Sequence, residues 1–453
     1  MPRATIHRLA LAAALSVPLL HSHEGGVGAA PFPVRIDSDG SVIEARAFLD
    51  RLGVNGHVSW PGHYPYSDTD RVAGAMAYVG VRNLRDYINS SSLSVFDRLA
   101  ARGVRFNLLL NPKVGLDNYL GWARGLAQAY PGSVVALEGP NEVDKWPVTF
   151  GGLTGYRAAA ATQRALYAQA KADPVLRGVP VYNVTVSGIS RESSDALGDL
   201  SAHADYANVH PYYRAGQQSW GHSRLDTRYT LRNYLASARW TAPGRPVVVT
   251  ETGSTTARRA PIGVSEPVQA KQILNSIMAA AKHGAAATYV YELVDSHDNG
   301  PADTESHYGL YRYDWSPKPA AHALHNLTRI VGRRSAPARS PLPRYSLAGL
   351  PPTGASLLLR RPDGGYDIVL WSEPDLWDES AARPLAVEPT PVELTLTSEH
   401  AALALYDPLV GDRPVRTWKA ARSITIPLAG HPVVLELAPS AAGKALVGGR
   451  TAP

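Results

Sequence analysis

The 453-residue chain contains no cysteine, so no disulfide can staple it in any compartment. Beyond the first twenty residues no run is long and apolar enough for a membrane helix. No basic face interleaved with aromatics is present, so nucleic acid is not an expected partner despite a net charge of +6. No Gly-rich phosphate loop follows the first strand-like segment, and no internal repeat appears. The fraction of hydrophobic residues, 45%, is too high for wholesale disorder and suits an ordinary globular chain.

What is present begins with an N-terminal segment of secretory type. Arg3 and Arg8 precede an apolar stretch, Leu9–Leu20, too short to span a bilayer. Small residues follow, and Val27-Gly28-Ala29 before Ala30 forms a cleavage site. Residues 1–29 therefore read as a signal peptide, and the expected location is the bacterial periplasm or the exterior. Asn183 and Asn326 match the glycosylation pattern by chance.

From about Val54 to Gly332, short strand-like runs alternate with helix-like stretches. The strand candidates are Gly56–Trp60, Val81–Arg85, Val104–Leu110, Val134–Gly139, Val181–Val186, Tyr206–His210, Pro246–Thr250 and Ala287–Tyr291. Continuous apolar runs of this kind suit strands buried on both faces of a parallel sheet. Helices are expected over Ser92–Arg102, Leu116–Tyr130, Glu266–His283 and Pro319–Val331, several of them ending at glycine. Strict alternation of eight such units predicts an α/β fold, a (β/α)8 TIM barrel, over residues 30–332. Residues 333–346, rich in Arg, Pro and Ser, read as a linker. Alternating strands over 347–439 predict a smaller antiparallel β-sandwich, with an early strand near 33–36 joining it. The tail, 440–453, is expected to be disordered.

Two glutamates carry the chemistry. Glu142 follows the fourth strand in VVALEGPNEVDKW, and Glu251 follows the seventh in PVVVTETGST. The separation of 251 − 142 = 109 residues is filled by three βα units. Each carboxylate is thereby presented at the C-terminal end of a barrel strand, where barrel active sites lie. Glycoside cleavage needs an acid for the leaving oxygen and a carboxylate at the anomeric carbon; a retaining enzyme sets them roughly 5–5.5 Å apart.

From Val54 to Val331 the chain resembles clan A of the glycoside hydrolases, barrel enzymes with acid/base and nucleophile on strands 4 and 7. Asn141-Glu142 matches the clan's Asn-Glu pair, and Glu251 its nucleophile. His210-Pro-Tyr212 matches a strand-6 pattern in which a tyrosine hydroxyl supports the nucleophile, and Arg85 matches a strand-2 arginine beside it. The stretch Tyr308–Ala320 resembles the segment leading into the last helix. The resemblance implies that Glu142 is the acid/base, that Glu251 is the nucleophile, that Asn141 lies near the sugar 2-hydroxyl, and that no cofactor is needed. It implies that Arg85 and Tyr212 keep Glu251 ionised. Burial and the neighbouring Glu251 should raise the pKa of Glu142. The layout is similar to the xylosidase, glucuronidase and exopolysaccharide-hydrolase branches, and NEV and TETG are similar to β-1,3-glucanases. Ser254-Thr255 stands where those glucanases have Trp-Pro, and Pro140 where many members have Gly.

Blander readings exist for each residue. Asn before Glu also suits a helix start, where Asn caps and Glu favours the first turn. Arg85, like Arg82, could form a surface ion pair, and His210 could be a satisfied core histidine. Trp60, Trp146 and Trp220 fall in βα loops, where they stack on sugars or simply pack. Glu138 points into the barrel or meets a cation. Glu292 and Asp295 end strand 8 within reach of sugar hydroxyls. His203, Asp205 and His210 match no standard ligand spacing, so no metal is assigned. The expected function is retaining hydrolysis of an extracytoplasmic poly- or oligosaccharide by a monomer with a carbohydrate as its partner. A transglycosylase, a non-catalytic carbohydrate-binding barrel and a metal-dependent hydrolase remain open.

Overall fold

A computed structural model describes residues 34–37, 41–213, 217–219, 228–333 and 341–438. The expected signal peptide, the tail and Trp220 lie outside these residues, as does half of the expected linker, 334–340.

Eight parallel strands form one sheet: β1 (Leu52–Asn55), β2 (Asn83–Tyr87), β3 (Arg105–Leu109), β4 (Val134–Glu138), β5 (Val181–Tyr182), β6 (Ala207–Val209), β7 (Val247–Thr252) and β8 (Thr288–Val290). The order runs β6-β7-β8-β1-β2-β3-β4-β5. A parallel bridge between Tyr182 and Tyr206 brings β5 back to β6, so the sheet closes on itself as a barrel. A helix follows each strand, from Thr69–Val79 after β1 to Pro319–Gly332 after β8.

The strands are buried on both faces, as their apolar runs require. Leu84, Phe106, Leu108 and Leu137 point outward into the helix layer. Inside, Ala136, Tyr182, Val248 and Tyr289 fill the lower barrel. Above them lies a polar layer of buried side chains: Asn55, Arg85, Asn107, Glu138, Asn208 and Thr250. That layer carries the mouth of the barrel.

One strand differs from expectation. β1 is Leu52–Asn55, and Gly56–Trp60 is the loop that follows it. A glycine in mid-strand weakens the sequence signal. Here Gly53 is needed because a Cβ would sit 2.3 Å from the ring of Tyr289.

The C-terminal strands form an antiparallel β-sandwich made from one sheet folded over. Thr390–Tyr406 is a single long strand. Its first half pairs with Tyr345–Leu350, and its second half with Val433–Leu437. Two expected strands, Val392–Thr397 and Ala402–Tyr406, are thus one element with an irregularity between Thr395 and His400. Tyr345–Leu350 begins inside the expected linker, and Val34–Asp37 pairs with it. The strand Tyr366–Ser372 shows why the two domains are joined. Ile368 and Leu370 face the sandwich core, while Val369 and Trp371 face the barrel's apolar cluster. Alternation along one strand serves two cores.

Candidate active site

Four chain segments deliver the carboxylates and their partners to the mouth. β4 ends at Glu138, and Gly139-Pro140-Asn141 leads to Glu142. A Cβ on Gly139 would lie 1.9 Å from Gln163 Oε1, so only glycine lets the chain pass there. Glu142 has φ of +41°, a conformation costly for a residue with a side chain. Hydrogen bonds hold it there: its N–H donates to Thr185 Oγ1 at 3.0 Å, and its carbonyl accepts from the N–H groups of Lys145 and Trp146, both at 2.8 Å. On β7, strict alternation would aim Glu251 away from the side Thr250 faces. The pairing with β8 slips between Val249 and Thr252, and Glu251 turns into the mouth. Gly253 follows because a Cβ there would strike the carbonyl oxygen of Tyr291 at 2.2 Å.

Arg85 organises the floor. It is 3% exposed. Nε and Nη2 donate to the two oxygens of Glu138 at 2.9 and 2.8 Å. Nη2 also donates to Asn141 Oδ1 at 2.8 Å, and Nη1 to Asn55 Oδ1 at 2.8 Å and Glu251 Oε1 at 2.6 Å. One guanidinium thus ties β1, β2, β4 and β7 together, which its rigid fork permits. Burial works against its charge, but Glu138 and Glu251 raise its pKa well above the usual value. Arg82, by contrast, pairs with Asp50 at the surface.

The second oxygen of Glu251 accepts from Tyr212 Oη at 2.7 Å. Burial, then the charge of Glu251, pushes the Tyr212 hydroxyl well above its ordinary pKa, so it stays a donor. Tyr212 sits edge-on to Tyr291 and Tyr308, which wall the same side.

Glu142 is held differently. Its Oε1 lies 3.0 Å from His210 Nδ1, and its Oε2 accepts from Lys145 Nζ at 3.0 Å. The far side of His210 fixes its tautomer. Asn208 Nδ2 donates to Glu138 Oε1 at 3.0 Å, so Asn208 Oδ1 is the acceptor for the Thr250 hydroxyl 2.8 Å away. The Thr250 oxygen must then accept from His210 Nε2–H at 3.0 Å. Nδ1 is left to share a proton with Glu142. Burial pushes the Glu142 carboxyl up, but the bonds and charges of His210 and Lys145 outweigh it and hold its pKa below the usual value. This overturns the expected rise. The expected rise left out His210, the stronger of the two lowering influences, and the ammonium three residues on.

One oxygen of Glu142, one of Glu251 and Nδ1 of His210 lie within 4.8 Å of one another. Their own hydrogen bonds occupy these atoms, and the cations Arg85 and Lys145 border them, so we assign no metal here. Asp205 and His203 sit at the opposite end of β6 from His210, with Asp205 paired to Lys171.

Other expected residues take varied positions. Trp60, 41% exposed, stacks on His57 with ring centroids 4.5 Å apart, at the rim. Trp146 is more exposed still. Glu292 is fully buried, with Oε2 held by His57 at 3.0 Å and Tyr66 at 3.2 Å; it lines the wall from behind. Asp295 bonds Lys318 Nζ and the N–H of Gly309, which fixes the loop after β8. Three residues escaped the sequence reading. Lys145 had a signal, the i,i+3 spacing from Glu142. His57 and Glu305 had none, because only the closed barrel brings their loops to the mouth. Glu305 is exposed at the rim, where neighbouring residues crowd it. That crowding, with the charges of Glu292 and Glu251, pushes its pKa up to about 7. A hollow of about 970 Å³ lies beside this mouth, lined by Thr256, His297 and Trp377 among others; Glu142 and Glu251 do not line it.

No protein-family model and no curated protein matches the sequence. Among solved structures, a family 39 glycoside hydrolase from the gut symbiont Bacteroides cellulosilyticus aligns with a TM-score of 0.58 at 12% identity, over 88% of this chain and 82% of that one. A Rhizomucor miehei family 17 β-1,3-glucanosyltransferase aligns at 0.44 and 16% identity, over 61% and 97%. A Bacteroides uniformis β-glucuronidase aligns at 0.44 and 15%, over 85% and 44%. The last two likenesses carry no argument. The first spans barrel and sandwich, and the chain shares the fold of that glycoside hydrolase.

Proposed function

We propose that this chain is a retaining glycoside hydrolase acting on an extracytoplasmic poly- or oligosaccharide. The observation that carries the reading is the pair of carboxylates just after β4 and on β7, with oxygens within 4.8 Å of each other at one barrel mouth. That spacing favours direct attack over the water-filled gap of roughly 6.5–9.5 Å that inversion needs.

In this mechanism Glu251 Oε attacks the anomeric carbon while Glu142 gives a proton to the leaving oxygen. Arg85 and Tyr212 aim the nucleophile and offset its charge. Glu142, now ionised, takes a proton from water, which attacks the glycosyl ester and releases Glu251 with retained configuration. Asn141, fixed by Arg85, presents its amide N–H toward the sugar. The tyrosine wall and Trp60 supply flat surfaces for sugar rings. The location outside the cytoplasm rests on the N-terminal segment.

The test is a panel of aryl glycosides and polysaccharides, with the anomer of the first product read by NMR. Retention supports double displacement; inversion, or no cleavage by any member, removes the reading. Repeating the assay with added sugar acceptors separates hydrolysis from glycosyl transfer, since the same intermediate passes to either.

A further inference from the structure

We propose that Lys145 is a reader of an anionic group, a carboxylate such as that of a uronic acid, on the leaving-group side of the cleft, and that taking this group releases Glu142 to act as the acid. The inference rests on the proposed glycosidase reading and deepens it.

The geometry poses the problem. An acid catalyst must carry a proton toward the leaving oxygen. Glu142 Oε1 is turned to His210, and Oε2, the remaining oxygen, is occupied by the Lys145 ammonium at 3.0 Å. While the ammonium stays, Oε2 cannot hold that proton. Lys145 is built to leave. Its side chain is 47% exposed, and Glu142 is its only hydrogen-bond or ion-pair partner among the described residues. The neighbouring Asp144 is already engaged, by the N–H and hydroxyl of Ser187.

What can draw Lys145 away follows from competition. A neutral sugar hydroxyl is a weaker acceptor for an ammonium than the carboxylate it would replace. An anion competes on equal terms. Once it holds Lys145, Glu142 loses a cation and gains a negative neighbour. Both changes raise its affinity for a proton. Oε2 then takes one from solvent, and that proton later passes to the leaving oxygen as the glycosidic C–O bond breaks. Other charges face the pair: His210 and Glu251 from below, Arg85 beyond Glu251, and Glu305 from the β8 side. With its carboxyl pushed up to about 7, Glu305 is mostly neutral in acid and does not repel the incoming anion.

The test uses D-glucuronate and D-glucose as probes on the full chain. Calorimetric binding in buffers of different ionisation heat reads proton uptake without turnover. Wild type should bind glucuronate at least tenfold more tightly than glucose, with net proton uptake at pH 6. Lys145→Met should lose that preference and the uptake, and Lys145→Arg should keep the preference. With a neutral aryl glycoside, Lys145→Met should move the alkaline limb of the kcat/KM profile upward, because the free acid is no longer held ionised. A structural role alone would not shift that limb. Equal binding of the two sugars by wild type, uptake unchanged in Lys145→Met, or an unmoved limb overturns the proposal. If no aryl glycoside is cleaved, the enzyme reading fails, while the calorimetry still decides what Lys145 binds.

Discussion

On the β7 side of the mouth, Glu251 is gripped by Arg85, a buried cation with three further partner residues, and by Tyr212. On the β4 side, Glu142 is gripped by His210 and by a half-exposed lysine. The same side chain is therefore set once in a fixed frame and once in an adjustable one. A nucleophile must present the same charge at every turnover, and a rigid guanidinium does that. An acid/base must gain and lose a proton in each cycle, so partners that can shift suit it. The contrast fits the separate roles proposed for the two glutamates.

The largest effects should come from the carboxylates themselves. Glu251→Ala should lose on the order of 10⁵-fold in kcat on every substrate, since no covalent intermediate can form. Glu142→Ala should lose roughly 10²–10⁴-fold on poor leaving groups and little in the first step on activated ones. Azide should rescue the Glu142 variant as a glycosyl azide of retained configuration and the Glu251 variant as an inverted one. A retained azide from Glu251→Ala would reverse the assignment.

Next comes the frame. Arg85→Met leaves Glu138 and Glu251 without their cation in the interior. It should cost about 3–5 kcal/mol of stability, read by denaturant unfolding, beyond any loss of activity. Arg82→Ala, at a surface pair, should stay within about 0.5 kcal/mol. Equal effects would mean that Arg85 is not the tie its hydrogen bonds describe. Tyr212→Phe keeps the ring and removes one hydrogen bond to a charged group, worth about 1.5–3 kcal/mol. A fall of roughly 10- to 150-fold in kcat is expected, with a loss of stability of no more than about 1.5–3 kcal/mol in unfolding.

The legibility of this chain in its sequence follows the same division. The fixed frame was readable in two ways: the alternation of strands and helices placed both glutamates at strand ends, and the family resemblance pointed to Arg85, Asn141, His210 and Tyr212, which the structure brings to the same mouth. Glu138 was legible as an inward carboxylate, though not as the bidentate partner of Arg85. The adjustable parts were not readable. Lys145, His57 and Glu305 lie in βα loops whose course depends on tight local turns, such as the left-handed Glu142, and on packing partners far away in sequence. The first strand was displaced for a related reason: Gly53 yields its side-chain space to Tyr289, more than two hundred residues on. In the sandwich, pairing registers joined two expected strands into one, a feature set by the partner strands rather than by the run itself.

The smallest effect sharpens the contrast at the rim. Glu305 lies exposed at the rim, and crowding by its surroundings, with the charges of Glu292 and Glu251, pushes its carboxyl up to about 7. Below that pH it is mostly neutral; as pH rises through about 7 it becomes an anion opposite Lys145. A negative charge added there should repel an acidic leaving group and attract the Lys145 ammonium away from substrate. The interaction of one exposed charge is about 1 kcal/mol at close range, or about fivefold in KM. KM for a substrate with an acidic leaving group should therefore rise by about that factor between pH 6 and 8, and salt should blunt the rise. Glu305→Gln carries no titrating group and should flatten it. Neutral aryl glycosides should show no such rise in either protein. A KM that climbs equally in Glu305→Gln would place the titration elsewhere, and a climb on neutral substrates would mean that Glu305 acts on the carboxylate pair rather than on the anion that Lys145 reads.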